Sequence, residues 1–274
     1  MKVNYFDLGL YSGEEMKHML YHIFPMIGVS EYNAYGIEAC EVFSDYCRDQ
    51  FREDEKVKIF NSAISEKNGP VKLYYAKNQL GHSIYKSKNK SFSVIEQSEA
   101  GTHFNAPAFL TTPENVQHLR KYFKSYGLQL RKYCMDFVAE NNHFEVGYDT
   151  KADLDKEKCE ITNGILFSDW VQKNVADFKE SFNILKINIE GAEYVFFKDI
   201  VENDLLKHFD IICGAGHDVE KVPELSEKLK EHKKLLDEHG IEIFRFSDWK
   251  PEQNAPMAKI ILEKLRIKRL HTVD

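Results

Sequence analysis

Short apolar runs alternate with amphipathic segments along most of the chain, and this alternation narrows the folds that the sequence can adopt. The apolar runs have the length of strands, and the segments between them repeat apolar residues at helical spacing. Strands that alternate with helices form a parallel sheet, because each helix returns the chain to the edge at which the next strand begins. The seven predicted strands cover residues 2–10, 33–39, 56–64, 183–190, 209–216, 241–246 and 258–265.

Helices are predicted between these strands, at residues 13–26, 41–52, 168–177, 192–203 and 222–239. Because only a short loop separates the last two predicted strands, a helical crossover cannot join them, and the last strand is expected to run antiparallel. Residues 84–160 break the alternation and are rich in charged and aromatic residues, which favours a mainly helical insertion. We therefore expect one α/β domain over residues 1–274 that carries this insertion.

The charge balance argues against a nucleic-acid partner. The sequence has 37 Lys and Arg against 44 Asp and Glu, a formal net charge of −7, whereas surfaces that bind phosphate backbones are basic. The five cysteines form no C-x-x-C pair, which argues against a disulfide framework and a zinc site and favours a cytoplasmic location. No run of about 20 apolar residues occurs, so no membrane span is expected.

The first predicted strand is followed by a turn that contains two glycines. Asp7, Gly9 and Gly13 follow the pattern D-x-G-x-x-x-G, which differs from the G-x-G-x-x-G fingerprint that seats a pyrophosphate. An acid at the end of a strand would repel a pyrophosphate, but it suits a ligand with an ammonium group, such as the methionine part of S-adenosylmethionine. A tight turn that only begins a helix is the alternative.

The second and third predicted strands end in polar and small residues. Glu38 lies at the carboxyl end of the second strand, where open α/β sheets bind ligands, and its carboxylate can accept hydrogen bonds from both hydroxyls of a ribose. A helix-capping Glu is the alternative. Asn61, Ser62 and Ala63 follow the third strand and leave room for an adenine ring at the same edge.

The segment NILKINIEGAE combines a central strand with polar residues. Lys186, Asn188 and Glu190 alternate with apolar residues, so the period of two places them on one side of the strand. A central parallel strand is usually apolar on both faces, and an unpaired buried charge costs several kcal/mol. These residues therefore either pair within a structural network or line a pocket at the carboxyl edge of the sheet.

Six segments of the chain together resemble the FkbM-type family of S-adenosylmethionine-dependent methyltransferases: FDLGLYSGE, YGIEA, NSAISEKNGPVKLY, GHSIYKS, ILFSDWV and LKINIEGAE. The resemblance implies a class I methyltransferase fold, a Rossmann-like seven-stranded sheet, with S-adenosylmethionine as cofactor. It also implies methyl transfer to a hydroxyl oxygen of a sugar, a glycan or another small metabolite. The chain departs from the family pattern at Asn188, where an Asp is usual, and at Ala215, where a Glu is common.

The candidate cofactor-binding residues are Asp7, Gly9, Tyr11, Ser12, Gly13, Glu38, Ala39, Asn61, Ser62 and Ala63. The candidate catalytic residues are His217, as the base that removes the proton of the acceptor, with Lys186, Asn188 and Glu190. A structural role is the alternative for His217, and His82 is a second candidate base. No metal site is predicted, because His18 and His22 have the i, i+4 spacing of ligands but no third ligand.

The insertion at residues 84–160 is expected to cap the acceptor site, with a helical decoration or a homodimer contact as the alternative. Three other functions stay open for the whole chain. These are an RNA 2′-O-methyltransferase, a catalytically silent protein that binds S-adenosylmethionine, and a nucleotide-dependent oxidoreductase. The net charge and the lack of a convincing Lys-Asp-Lys-Glu set disfavour the first, and the glycine spacing disfavours the last.

Overall fold

The computed structural model describes residues 1–74, 83–85, 159–214, 218–246 and 254–271. The strands in these ranges are β1 Val3–Leu8, β2 Tyr32–Glu38, β3 Val57–Asn61, β4 Ala63–Ile64, β5 Gly69–Tyr74, β6 Cys159–Ile165, β7 Phe182–Ile187 and β8 Phe209–Gly214. Five of them form a central sheet in the order β3-β2-β1-β7-β8, and every neighbouring pair in it is parallel. The prediction of an α/β chain with a parallel sheet is therefore confirmed.

The helices in the described ranges lie between these strands and after the last one. The α-helices are α1 Glu14–His18, α2 Phe24–Met26, α3 Glu41–Gln50, α4 Phe167–Asn174, α5 Glu193–Glu202, α6 Lys228–Glu238 and α7 Asn254–His271. A π-helical segment, Met19–Ile23, joins α1 to α2, and 3₁₀ turns cover Leu206–His208, Asp218–Lys221 and Pro223–Leu225. None of the helices in the described ranges has the length and apolar character needed to cross a membrane.

The two faces of the sheet bury different sets of helices. Alternate residues of β1 point to opposite faces, as the period of a strand requires. Tyr5 packs with residues of α1, α3 and α7, whereas Phe6 packs with residues of α4 and α5. Both side chains are fully buried. The central strands are therefore covered on both sides, as expected for a parallel sheet.

A row of asparagines crosses the sheet and reinforces its register. Asn4 of β1 lies opposite Asn33 of β2 and Asn183 of β7. The Asn4 amide donates a hydrogen bond to Asn183 Oδ1 over 3.1 Å, and the Asn33 amide donates one to Asn4 Oδ1 over 3.4 Å. Because buried amides without partners are costly, a slip of any of these three strands would be penalised.

The prediction of a seven-stranded sheet with an antiparallel last strand is wrong. Residues 258–265 belong to the helix α7, and residues 241–246 contribute only one bridge, between Phe244 and Cys213, which is parallel. The run in α7 was ambiguous because it is short and apolar. Its buried residues Met257, Ile261 and Leu265 recur every fourth position, which is helical spacing.

A second, smaller sheet lies beside the first. It has the order β4-β6-β5, with β6 parallel to β4 and antiparallel to β5. The predicted strand at residues 56–64 is divided between the two sheets, since β3 ends at Asn61 and β4 begins at Ala63. The predicted insertion at residues 84–160 lies outside the described residues except at its two ends, so its helical content and its role as a cap stay predictions.

Candidate functional site

A cavity opens at the carboxyl ends of β1, β2, β3 and β7. The strand order reverses direction between β1 and β7, because the chain leaves β1 toward β2 on one side and returns to β7 on the other. Ligands of open α/β sheets bind at such a reversal. The volume of the cavity is about 80 Å³, so a ligand of nucleoside size would extend beyond it.

Eight of the residues predicted from the sequence meet in this cavity, which we call the site cavity. They are Gly9, Tyr11, Glu38, Ala39, Ser62, Ala63, Asn188 and Glu190. The other predicted residues that the structure describes do not line the site cavity: Asp7, Ser12, Gly13, Asn61 and Lys186. The carboxyl edge of the sheet thus gathers residues that are far apart in sequence, as the strand assignments predicted.

Glu38 holds together the two loops that border the site cavity. Its Oε2 accepts a hydrogen bond from the backbone N–H of Tyr11 over 2.7 Å, and its Oε1 accepts one from Cys40 over 2.8 Å. Burial raises the pKa of the Glu38 carboxyl, and these two amide hydrogen bonds oppose that rise. The carboxylate therefore has a structural role, and its predicted contact with a ribose stays a prediction. Each of its oxygens has a second lone pair that these bonds leave unused.

Lys186 is part of a buried ionic network, and its ammonium does not face the site cavity. Its Nζ lies 3.0 Å from Asp7 Oδ1, 2.5 Å from Glu15 Oε2 and 3.0 Å from the carbonyl oxygen of Gly9. Burial alone would lower the pKa of Lys186, but Asp7 and Glu15 outweigh it and raise the pKa. The structural alternative for Lys186 is therefore the one observed. The Asp7 carboxylate pairs with Lys186 and does not line the site cavity, which disfavours the predicted contact of Asp7 with a ligand ammonium.

The glycines of the β1–α1 turn are required by the protein itself. Gly9 has φ +78°, and a Cβ at this position would lie 1.8 Å from the carbonyl oxygen of Asn188. Gly13 has φ +77°, and a Cβ there would lie 2.9 Å from the ring of Phe51. Both positions therefore exclude side chains by neighbouring protein atoms and by backbone conformation, whatever binds in the cavity.

The loop after β7 carries the other polar residues of the site cavity. Glu190 has φ +56° and is followed by Gly191 at φ +106°. The Glu193 carboxylate accepts hydrogen bonds from the backbone N–H groups of Ile189 and Gly191, over 3.1 and 2.8 Å. Ser83 Oγ donates a hydrogen bond to the carbonyl oxygen of Glu190 over 2.7 Å. These bonds fix an uncommon backbone conformation at the cavity rim.

Strand β6 supports the opposite wall. Thr162 Oγ1 donates a hydrogen bond to the carbonyl oxygen of Ala39 over 2.9 Å, and the Asn163 amide donates one to Ser62 Oγ over 3.3 Å. The Asn61 amide donates to the carbonyl oxygens of Glu38 and Ala39. Asn61 therefore positions residues that line the cavity from behind them.

The predicted histidines have different outcomes. His217, the preferred base, lies outside the described residues together with Ala215 and His82, so its role stays a prediction. His18 forms a 2.7 Å hydrogen bond with Asn254 Oδ1 at the start of α7. The described part of the chain contains no group of three His, Cys, Asp or Glu side chains able to hold a metal ion.

Sequence reasoning missed the apolar part of the cavity lining. These residues are Ile37, Phe43, Ile64, Leu73, Ile84, Ile189 and Ala192. Ile37 and Ile189 adjoin predicted polar residues, so the strand assignments already contained a signal for them. Leu73 and Ile84 belong to the segments NSAISEKNGPVKLY and GHSIYKS, which carry the family resemblance, but neither residue was singled out as part of the site.

Comparisons of the chain with family models, with curated proteins and with solved structures gave no match.

Proposed function

We propose that this protein binds S-adenosylmethionine in the site cavity and transfers its methyl group to a hydroxyl oxygen of a sugar, a glycan or another small metabolite. The observation that carries the proposal is the charge of the cavity. Glu38 and Glu190 line it, and no Lys or Arg is among its described lining residues. S-adenosylmethionine combines a nucleoside with two cationic groups, a sulfonium and an ammonium, and it has no phosphate.

A nucleotide or dinucleotide fits this lining less well. Phosphates bind to cationic side chains or to the N-termini of helices that follow glycine-rich turns. The helix α1 follows such a turn, but its first turn carries Glu14 and Glu15, which would repel a phosphate. The nearest buried cation, Lys186, is 1% exposed and is held by two carboxylates, so it is not free to meet a phosphate. The same contacts disfavour an RNA 2′-O-methyltransferase that would use this lysine in catalysis.

Glu38 is the residue that we assign to the ribose. Its two oxygens accept from Tyr11 and Cys40, and their remaining lone pairs can accept from the 2′- and 3′-hydroxyls. Hydrogen bonds to a charged acceptor are stronger than neutral ones, which suits a residue that anchors a cofactor. Ala39, Ser62 and Ala63 form the neighbouring wall and give the adenine ring room.

Methyl transfer to a hydroxyl requires that the acceptor oxygen is aligned with the methyl group and that one proton is removed. The acceptor oxygen attacks the methyl carbon, the bond from that carbon to sulfur breaks, and the acceptor proton passes to a base. S-adenosylhomocysteine and a methyl ether are the products. We assign the base to His217. Asn188 lines the cavity, but a neutral amide accepts no proton at neutral pH, so its role is confined to hydrogen bonding.

Calorimetric titration with S-adenosylhomocysteine, NAD and ATP tests the ligand class. We expect S-adenosylhomocysteine to bind with a dissociation constant at least tenfold below those of the two phosphate ligands, because the cavity lining is acidic. Tighter binding of NAD or ATP would contradict the proposal. Transfer of a labelled methyl group to a pool of glycans and metabolites is the second measurement. Binding without transfer to any acceptor would favour the catalytically silent alternative.

A further inference from the structure

A second cavity lies at the amino end of the sheet, at the opposite edge from the site cavity. We call it the amino-edge groove. Its lining comes from the beginning of β1, the loop before β2 and one side of α7. The volume of the groove is about 370 Å³, which is within the range of small-molecule sites.

One part of the groove is apolar. Ile27 and Val29 lie on the loop before β2, and Leu262 faces the groove from α7 with 42% of its surface exposed. Leu265 is buried at the base. Apolar surface that stays in contact with water is stabilised when an aliphatic chain covers it, at roughly 25 cal/mol for each Å² buried. The groove thus has a wall suited to an alkyl chain.

The other part of the groove is basic. Arg266 and Arg269 lie one turn apart on α7, and both line the groove. Lys2 pairs with Asp177 over 2.9 Å, and Glu31 is the acidic residue of the lining. Arg266 is exposed and forms no ion pair with any described residue. The groove is therefore locally positive, although the chain as a whole has a net charge of −7.

We propose that the amino-edge groove binds a small amphipathic anion, with a carboxylate or phosphate head and a short aliphatic chain. The planar guanidinium of Arg266 suits such a head because it can donate two parallel hydrogen bonds to it. The chain lies along Ile27, Val29 and Leu262. The juxtaposition of an exposed arginine with an exposed leucine one turn away selects for both parts of the ligand at once. This inference is independent of the proposed function, because the groove and the site cavity share no lining residue.

Octanoate is the test ligand, with octanol as the uncharged and octyltrimethylammonium as the cationic comparison. We expect ligand-observed NMR to give octanoate a dissociation constant at least tenfold below those of the other two. Arg266→Glu is expected to weaken octanoate binding at least tenfold, and Leu262→Ser at least threefold. Lys264→Glu is the matched control, since Lys264 is exposed on the same helix and does not line the groove. It should change the constant by less than twofold.

Three results would overturn the proposal. One is equal binding of octanoate and octanol, because Arg266 would then contribute nothing. Another is an octanoate affinity that both Arg266→Glu and Leu262→Ser leave unchanged while their circular dichroism stays native. Sedimentation with vesicles of phosphatidylglycerol separates the sources of the anion. Binding to vesicles without binding of octanoate would replace the free anion by a lipid surface and contradict the assignment.

Discussion

Replacing Lys186 with methionine is expected to lower the free energy of unfolding by about 3–5 kcal/mol, the usual cost of breaking a buried ion pair. The lysine is 1% exposed, and Asp7, 3.0 Å away, is completely buried. Methionine fills a similar volume but leaves the Asp7 carboxylate without its cation. Burial raises the pKa of Asp7, and Lys186 is the strongest influence that lowers it. The carboxyl would therefore have to take up a proton in the folded variant.

Urea unfolding measures this loss, and a second substitution identifies its cause. Adding Asp7→Asn to Lys186→Met removes the uncompensated charge, so the double variant should be more stable than Lys186→Met alone. Glu15 is partly exposed and can be hydrated, so its loss of a partner should cost less. A loss below about 1 kcal/mol for Lys186→Met would show that the network does not stabilise the fold.

Replacing Gly9 with alanine is expected to cost roughly 2–5 kcal/mol, which combines a steric clash with an unfavourable backbone conformation. The added Cβ would lie 1.8 Å from the carbonyl oxygen of Asn188. That oxygen belongs to the backbone, so it cannot move away without shifting the loop after β7. Thermal and urea unfolding of the variant measure the cost.

Gly28→Ala is the matched control for Gly9→Ala. Gly28 has φ +71°, close to the +78° of Gly9, and a Cβ there would meet no atom within 4 Å. It should therefore show the conformational cost alone, about 1–2 kcal/mol. Equal losses for the two variants would contradict the clash. The same geometry means that loss of ligand binding in Gly9→Val would not show direct contact with a ligand, because the valine also collides with Asn188.

The sequence allowed the central sheet to be predicted because its strands are long, apolar and separated by helices. The segment NILKINIE, for example, was assigned to a strand inside the sheet, and β7 lies between β1 and β8. The sequence pattern did not reveal that residues 258–265 belong to the helix α7. Residues such as Ile261 and Leu265 are compatible with a buried strand until the helical spacing of the buried positions is seen. The smaller sheet pairs β4 and β5 with β6, strands far apart in sequence, and no local pattern specifies that pairing.

The accuracy of the predicted site residues depended on whether their contacts could be inferred from the strand assignments alone. Glu38 and Asn188 were placed correctly at the cavity, because the ends of parallel strands share one edge. Lys186 was left between two interpretations, since spacing alone cannot show that Glu15 of α1 reaches its ammonium. Gly9 and Gly13 were interpreted as positions that leave room for a ligand, whereas Asn188 and Phe51 occupy the space beside them. Only the packing of elements distant in sequence decides such cases.

The affinity of Glu38→Gln for S-adenosylhomocysteine tests most directly whether the site cavity binds S-adenosylmethionine. We expect binding to weaken by about 1–3 kcal/mol, or roughly 5- to 150-fold, through loss of charge-assisted hydrogen bonds to the ribose. Glu41→Gln, exposed at the beginning of α3, is the matched control and should bind normally. Because Glu38 also holds two backbone amides, adenosine and 2′,3′-dideoxyadenosine are compared in both proteins. We expect the unmodified protein to prefer adenosine and Glu38→Gln to lose this preference. An unchanged affinity of Glu38→Gln for S-adenosylhomocysteine would show that Glu38 does not bind the ribose.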